Sequence, residues 1–149
     1  MNENINSTYD PVCIYDSAHT FQLAAERCEE YRPTALGDYE MLLCPAVVNY
    51  ALACEEYLKC LLQIESRLPE LAGHKLSYLF TLLPKDIQKE IRNQLNYTGF
   101  TAQLEAVSDS FVYWRYVYEH ESGEINLDFL RKFCAILRLE CDVAMEGTK

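Results

Sequence analysis

Arg115 and His120 are the two side chains whose types and spacing point most directly to chemistry. A guanidinium is a planar fork of donors that fits anions, and an imidazole, with a reference pKa of about 6.5, exchanges protons near neutral pH. At roughly 100° per residue, Arg115 falls about 20° round a helix from Leu104. It therefore interrupts an apolar seam made by Leu104, Val107, Phe111, Trp114 and Tyr118. A guanidinium on such a face must be paired or open to a cleft, because an unpaired buried charge is costly. Pairing with a carboxylate on an earlier helix, such as Glu56, would make it structural; a cleft would make it an anion ligand. His120 follows five residues later and on a straight helix points about 140° away. The two meet only if the last turn unwinds ahead of Gly123, or across a symmetric dimer. Failing both, His120 is a solvent-exposed residue or a partner of the helix dipole.

Three further sets of residues bear on this segment. Tyr113, Tyr116 and His120 share the helix face away from the seam, where aromatic rings with polar tips mark an interface unless other helices cover them. His74, after Gly73 at a helix start, is either a second site residue or a side chain bonded to backbone or to a nearby acid. Glu56, Lys59 and Gln63 recur on one helical face, which reads as a solvated stripe or a source of partners for Arg115.

The elements that must position these residues are helical. Asp16 or Ser17 caps a first helix with Ile14, Ala18, Phe21, Ala25 and Cys28 on its stripe, ended by Pro33. Thr34 to Tyr39 reads as a loop around Gly37. Pro45 fits the first turn of a second helix that buries Val47, Ala51, Cys54, Leu58 and Leu61 and reaches about Ser66. Pro69 and Gly73 break the chain. Short helices follow over Lys75 to Leu83 and from Pro84 to about Leu95, and after Gly99 comes a long helix carrying the seam. Gly123 stands where its C-terminal cap would be. The last helix runs from about Leu127 to Ala144 with Leu127, Leu130, Cys134, Leu137 and Cys141 inward. No segment alternates with period two. The expected class is all-α, an antiparallel helical bundle of four main helices plus one or two short ones. Residues 1–12 form a flexible N-terminal segment and residues 13–146 a single domain.

Composition bounds the function. The chain has 149 residues, half of them hydrophobic, and few Gly or Pro, which fits one domain with a real core. The start, Met1 to Asn6, carries no basic residue and no apolar run, so it is not a secretory signal. The stretch from Met41 to Cys54 is too short and interrupted to span a bilayer. Seven cysteines without a C-x-x-C pair fit reduced thiols in a cytoplasm, with Cys134 and Cys141 as small core residues. The net charge of -10 argues against extended DNA or RNA binding, which depends on neutralising phosphates, but leaves room for a local cationic pocket.

Glu55-Glu56-Tyr57-Leu58-Lys59, then Gly73-His74-Lys75-Leu76 with Leu79-Phe80 and Leu83-Pro84, then Trp114-Arg115-Tyr116 and the R-x4-H spacing of Arg115 and His120, follow one another in a pattern that resembles the HEPN family (higher eukaryotes and prokaryotes nucleotide-binding). The resemblance spans about Val47 to His120. It implies a helical bundle that dimerises and, in many members, a metal-independent endoribonuclease of toxin or defence type. It also implies an RNA or nucleotide ligand, and an antitoxin or nucleotidyltransferase as a protein partner. By that likeness Arg115 stabilises charge on a phosphorane-like transition state, while His120 accepts the 2′-hydroxyl proton or donates to the leaving 5′-oxygen. Glu56, Lys59, Tyr116 and His74 would support the site or bind ligand. Products would carry 2′,3′-cyclic phosphate, with no cofactor required. Tyr116 after the arginine, Ser122 in place of a tyrosine two past the histidine, and the acids Glu119, Glu121 and Glu124 favour the alternative. That alternative is a non-catalytic HEPN module binding a nucleotide, small ligand or protein. No Glu-x-x-His pairs of the di-iron type occur.

Overall fold

The computed structural model describes residues 9–65, 73–119 and 125–147. Asp10-Pro11 starts the first helix. The Asp10 carboxylate accepts the Val12 N–H at 2.9 Å, and Pro11 takes a first-turn position where a missing N–H costs nothing. Helix α1 (Pro11–Cys28) therefore opens more than a turn before Asp16 and Ser17, which lie inside it rather than capping it. It also ends ahead of Pro33. Arg32–Pro33 (β1) pairs antiparallel with Tyr39–Glu40 (β2), around a turn in which Gly37 sits at φ +86°. That left-handed value favours glycine. Two-residue strands are too short to show an alternating pattern, so the sequence reads only the loop between them.

Helix α2 (Leu43–Ile64) is buried on nearly every side and forms the axis of the bundle. Its expected stripe of Val47, Ala51, Cys54, Leu58 and Leu61 is fully packed, while Glu56, Lys59 and Gln63 lie on its half-exposed face. Helix α1 runs antiparallel to it: Cys60 reaches the Pro11 carbonyl, Ser17 bonds Glu56, and Tyr50 bonds Glu29. Helix α7 (Leu127–Glu146) runs in the same direction as α2, with the Cys54 thiol on the Leu130 carbonyl and the Cys141 thiol on that of Tyr57. Cys134 and Cys141 are core residues, as their spacing predicts. Arg131 of α7 also bonds Glu29 at 3.1 Å. Burial alone would raise the Glu29 carboxyl; the bonds from Arg131 and Tyr50 outweigh it and hold it below the usual range.

The return from α2 to α7 is made in short pieces. Helices α3 (Leu76–Leu82) and α4 (Lys85–Leu95) lie where the pattern places them. The long helix expected after Gly99 is instead α5 (Phe100–Val107), α6 (Ser110–Arg115) and a 3-10 turn over Val117–Glu119. Ser108 is the cause. Its hydroxyl bonds back to the Leu104 carbonyl at 2.6 Å and accepts the Ser77 N–H at 3.0 Å, while its carbonyl accepts the Leu76 N–H. The first turn of α3 has no side-chain cap of its own, so Ser108 satisfies its otherwise unpaired donors. A carbonyl committed to α3 is lost to the α5 ladder, and the helix ends. The class is all-α and a helical bundle, and no helix among the described residues is long and apolar enough to cross a membrane.

Ser108→Ala should leave the half-buried Ser77 N–H without its partner and cost about 1 kcal/mol, read as a lower urea midpoint with an unchanged slope. A midpoint equal to the wild type would show that Ser108 does not hold the junction.

Candidate functional site

The break at Ser108 decides where Arg115 points. Trp114 remains in the core, but α5 ends at Val107 and α6 begins at Ser110, so an angle reckoned along one unbroken helix from Leu104 no longer applies. Arg115 is exposed rather than part of the seam, and Tyr118, 79 % exposed, has left the seam as well. Among the described residues Arg115 has no carboxylate partner. Its guanidinium lies over the Phe111 ring at 5.0 Å and the Tyr116 ring at 4.6 Å, and donates to the Tyr116 hydroxyl at 2.6 Å. Aromatic faces hold a guanidinium in place while leaving its charge uncancelled. Tyr116 ends α6 with non-helical angles and a 3-10 turn follows, so the straight-helix separation of Arg115 from position 120 does not apply. His120 and Gly123 lie outside the described residues, as does Pro69.

Glu56 does not meet Arg115. It faces α1, where one carboxylate oxygen accepts from Ser17 at 3.1 Å. Its other oxygen is buried without a partner among the described residues. Burial raises the Glu56 carboxyl above its ordinary value of 4.5; Ser17 opposes this and the neighbouring Glu55 charge adds to it. The reason is the helical repeat: adjacent residues differ by about 100°, so only one of Glu55 and Glu56 can face a given partner.

Glu55 is the carboxylate that faces the site, and sequence reasoning passed over it as a member of a motif. It is 5 % exposed in the middle of α2. One oxygen meets His74 Nδ1 at 2.9 Å and the other accepts from Lys59 Nζ at 3.2 Å. A carboxylate this deep is tolerated only when paired and bonded on both oxygens. His74 thus takes the nearby acid that its position predicts, yet its own side chain stays 66 % exposed. Its ring is 6.5 Å from that of Phe111, the same ring that carries Arg115. The structure therefore gathers Arg115, Tyr116, His74 and Lys59 around Phe111 and Glu55, and leaves Glu56 out. The doublet of adjacent acids was visible in the sequence; which of the two turns inward depended on the phase of a helix buried nearly all round.

Val112, Tyr116 and Tyr118 add exposed apolar surface along the same segment. The chain matches no family profile, no curated protein and no solved structure.

The raised Glu56 value carries a sign. The folded carboxyl holds its proton more tightly than the unfolded one. The favourable contribution is thus present below the ordinary value and is lost as pH rises through the folded value. Glu56→Gln keeps an acceptor for Ser17 and removes the charge. It should raise the unfolding temperature at pH 7 and leave it nearly unchanged at pH 4, measured by thermal circular dichroism. Equal shifts at both pH values would show that the charge is not the cause.

Proposed function

We propose that the chain is a HEPN-type, metal-independent endoribonuclease of toxin or defence kind, acting as a homodimer. The observation that supports it is Arg115: exposed, fixed on two aromatic faces, and unpaired with any acid among the described residues. A structural arginine would be expected to spend its charge on a carboxylate, whereas this one keeps its charge at the surface, on the Phe111 ring that the His74 imidazole also approaches. Phosphate is the anion that fits, since a guanidinium fork matches two phosphate oxygens at once. Phe111, Tyr116 and Tyr118 offer ring faces for unpaired bases, the usual platform for single-stranded RNA. With a net charge of -10, affinity comes from this small footprint rather than from a long basic groove. Arg115 stabilises the charge that builds on phosphorus, and His120 of the R-x4-H segment exchanges a proton with the reacting oxygens. The exposed Val112 and Tyr118 supply apolar surface for a second subunit, whose own Arg115 segment would line the same cleft.

Purified protein incubated with unstructured RNA in EDTA should give 2′,3′-cyclic phosphate ends. Arg115→Ala should slow the cut by about 10²–10³-fold and His120→Ala by about 10²–10⁴-fold. A wild-type rate no higher than that of His120→Ala would end the nuclease reading.

A second reading, a non-catalytic module for a nucleotide or other small anionic ligand, draws on a separate feature. A cavity of about 560 Å³ opens between α3, α4 and α5, lined by Lys75, Tyr78, Phe80, Arg92, Thr101 and Glu105, within the size range of ligand sites. On this reading calorimetric titration with adenine nucleotides gives a saturable heat, and Arg92→Ala weakens binding about tenfold or more. Absence of heat, together with RNA cleavage, would decide for the enzyme.

A further inference from the structure

Glu55 and His74 have the geometry of a carboxylate–imidazole dyad. A nearly buried carboxylate holds Nδ1 of a largely exposed ring at 2.9 Å. An ionised carboxylate only accepts, so Nδ1 must carry the proton that it binds. In the neutral ring the proton is then absent from Nε2, whose lone pair is free to accept another. Lys59 bonds the second carboxylate oxygen at 3.2 Å, which leaves Oε1 fixed on the imidazole. The dyad is built from two elements that the rest of the fold clamps. Glu55 belongs to the axial helix, and His74 stands just ahead of α3, whose first turn is tied to Ser108. The Phe111 ring, 6.5 Å from this imidazole, also carries the Arg115 guanidinium at 5.0 Å. An oriented base and an uncancelled cation thus share one aromatic platform.

We propose that His74, oriented by Glu55, is the proton acceptor of the site, taking the proton of an RNA 2′-hydroxyl through Nε2. The inference rests on the nuclease reading and deepens it, because it supplies a base that does not depend on His120. As the proton passes to Nε2, the 2′-oxygen forms its bond to phosphorus and the bond from phosphorus to the 5′-oxygen breaks. That leaving oxygen takes its proton from the acid of the nuclease reading, and the imidazolium returns its own proton to solvent. Arg115 balances the charge on the non-bridging oxygens throughout. Glu55 is a positioning residue, as the buried acid is in other carboxylate–histidine pairs.

The test is the pH dependence of single-turnover cleavage between pH 5 and 9 for wild type, His74→Gln, Glu55→Gln and Arg115→Ala. His74→Gln can keep a hydrogen bond to Glu55, and circular dichroism checks its fold. The expected results are a wild-type rate that climbs on the acid side as an imidazole loses its proton, and loss of that limb in His74→Gln with a rate lower by about 10²–10⁴-fold. In Glu55→Gln the maximal single-turnover rate should fall while the half-saturating RNA concentration stays at the wild-type value, because the imidazole has lost the carboxylate that orients it. A folded His74→Gln that cleaves at the wild-type rate, or slowly but with the limb intact, overturns the inference and leaves the nuclease reading standing. No cleavage by wild type at any pH overturns both. Should His74→Gln fail to fold, the imidazole nitrogen resonances of wild-type protein decide. Addition of the 2′-deoxy form of the same oligonucleotide should shift the Nε2 signal of His74, and an unmoved signal overturns the inference.

Discussion

The hydrogen bonds made by Ser108 determine more of this structure than any other polar contact. By taking the Leu76 and Ser77 amides, Ser108 starts α3 and stops α5 at one stroke. The start of α3 brings His74 beside α2, and the stop of α5 makes α6 a separate helix. On one continuous helix Arg115 would lie about 20° round from Leu104, on the seam. There its charge would need a carboxylate, and none of the described acids meets it. Two segments distant in sequence, one carrying His74 and one carrying Arg115, thus acquire a common platform from a junction that buries one small hydroxyl.

The electrostatics follow from the same arrangement. Glu55 and Glu56 are adjacent, so their charges repel, and the fold treats them differently. Glu55 receives Lys59 and His74 and stays paired. Among the described residues Glu56 receives a hydrogen bond only from a serine, and burial raises its carboxyl. The lysine that could have served either acid is spent on the one facing the site. Lys75, close in sequence to His74, is likewise spent, paired with Glu105 at 2.9 Å. An acidic chain with its nearby lysines committed in this way can offer an anion only a narrow landing place. That suits recognition of one phosphate and its flanking bases better than recognition of a long backbone.

Much of the bundle was legible in the sequence because periodicity reports packing. The buried stripe of α2, the limits of α3 and α4, and the inward Leu130, Cys134, Leu137 and Cys141 of α7 all follow from apolar spacing. What was not legible came from polar contacts across the fold. Asp10 caps α1 only because Pro11 follows in a helical turn, while Asp16 and Ser17 look equally good by residue type. Nothing local distinguishes Ser108 from any serine tolerated in a helix; its partner amides lie about thirty residues earlier. The arithmetic that put Arg115 on the seam was sound for an unbroken helix and failed through that one contact. Glu56 was named as the candidate partner and Glu55 is the residue in place. That is a difference of one step on a helix whose surroundings decide which face matters.

The end of α6 bears on how a dimer would work. On a straight helix, the residue five positions after Arg115 points to another side of the molecule, and a second subunit would be needed to reconcile them. Here Tyr116 already leaves helical geometry and the chain tightens into a 3-10 turn, in which each residue advances by about 120° rather than 100°. The directions beyond Arg115 are therefore set by the turn, not by the helix. A second subunit is thus no angular necessity, but the surface invites one: Val112, Tyr116 and Tyr118 place apolar area beside a charged group, and covering that area would lower the local dielectric around Arg115. Coulombic attraction strengthens as water is displaced. A partner surface closing over these rings would thus strengthen the hold of Arg115 on a phosphate, beyond what the partner's own Arg115 segment would add to the cleft.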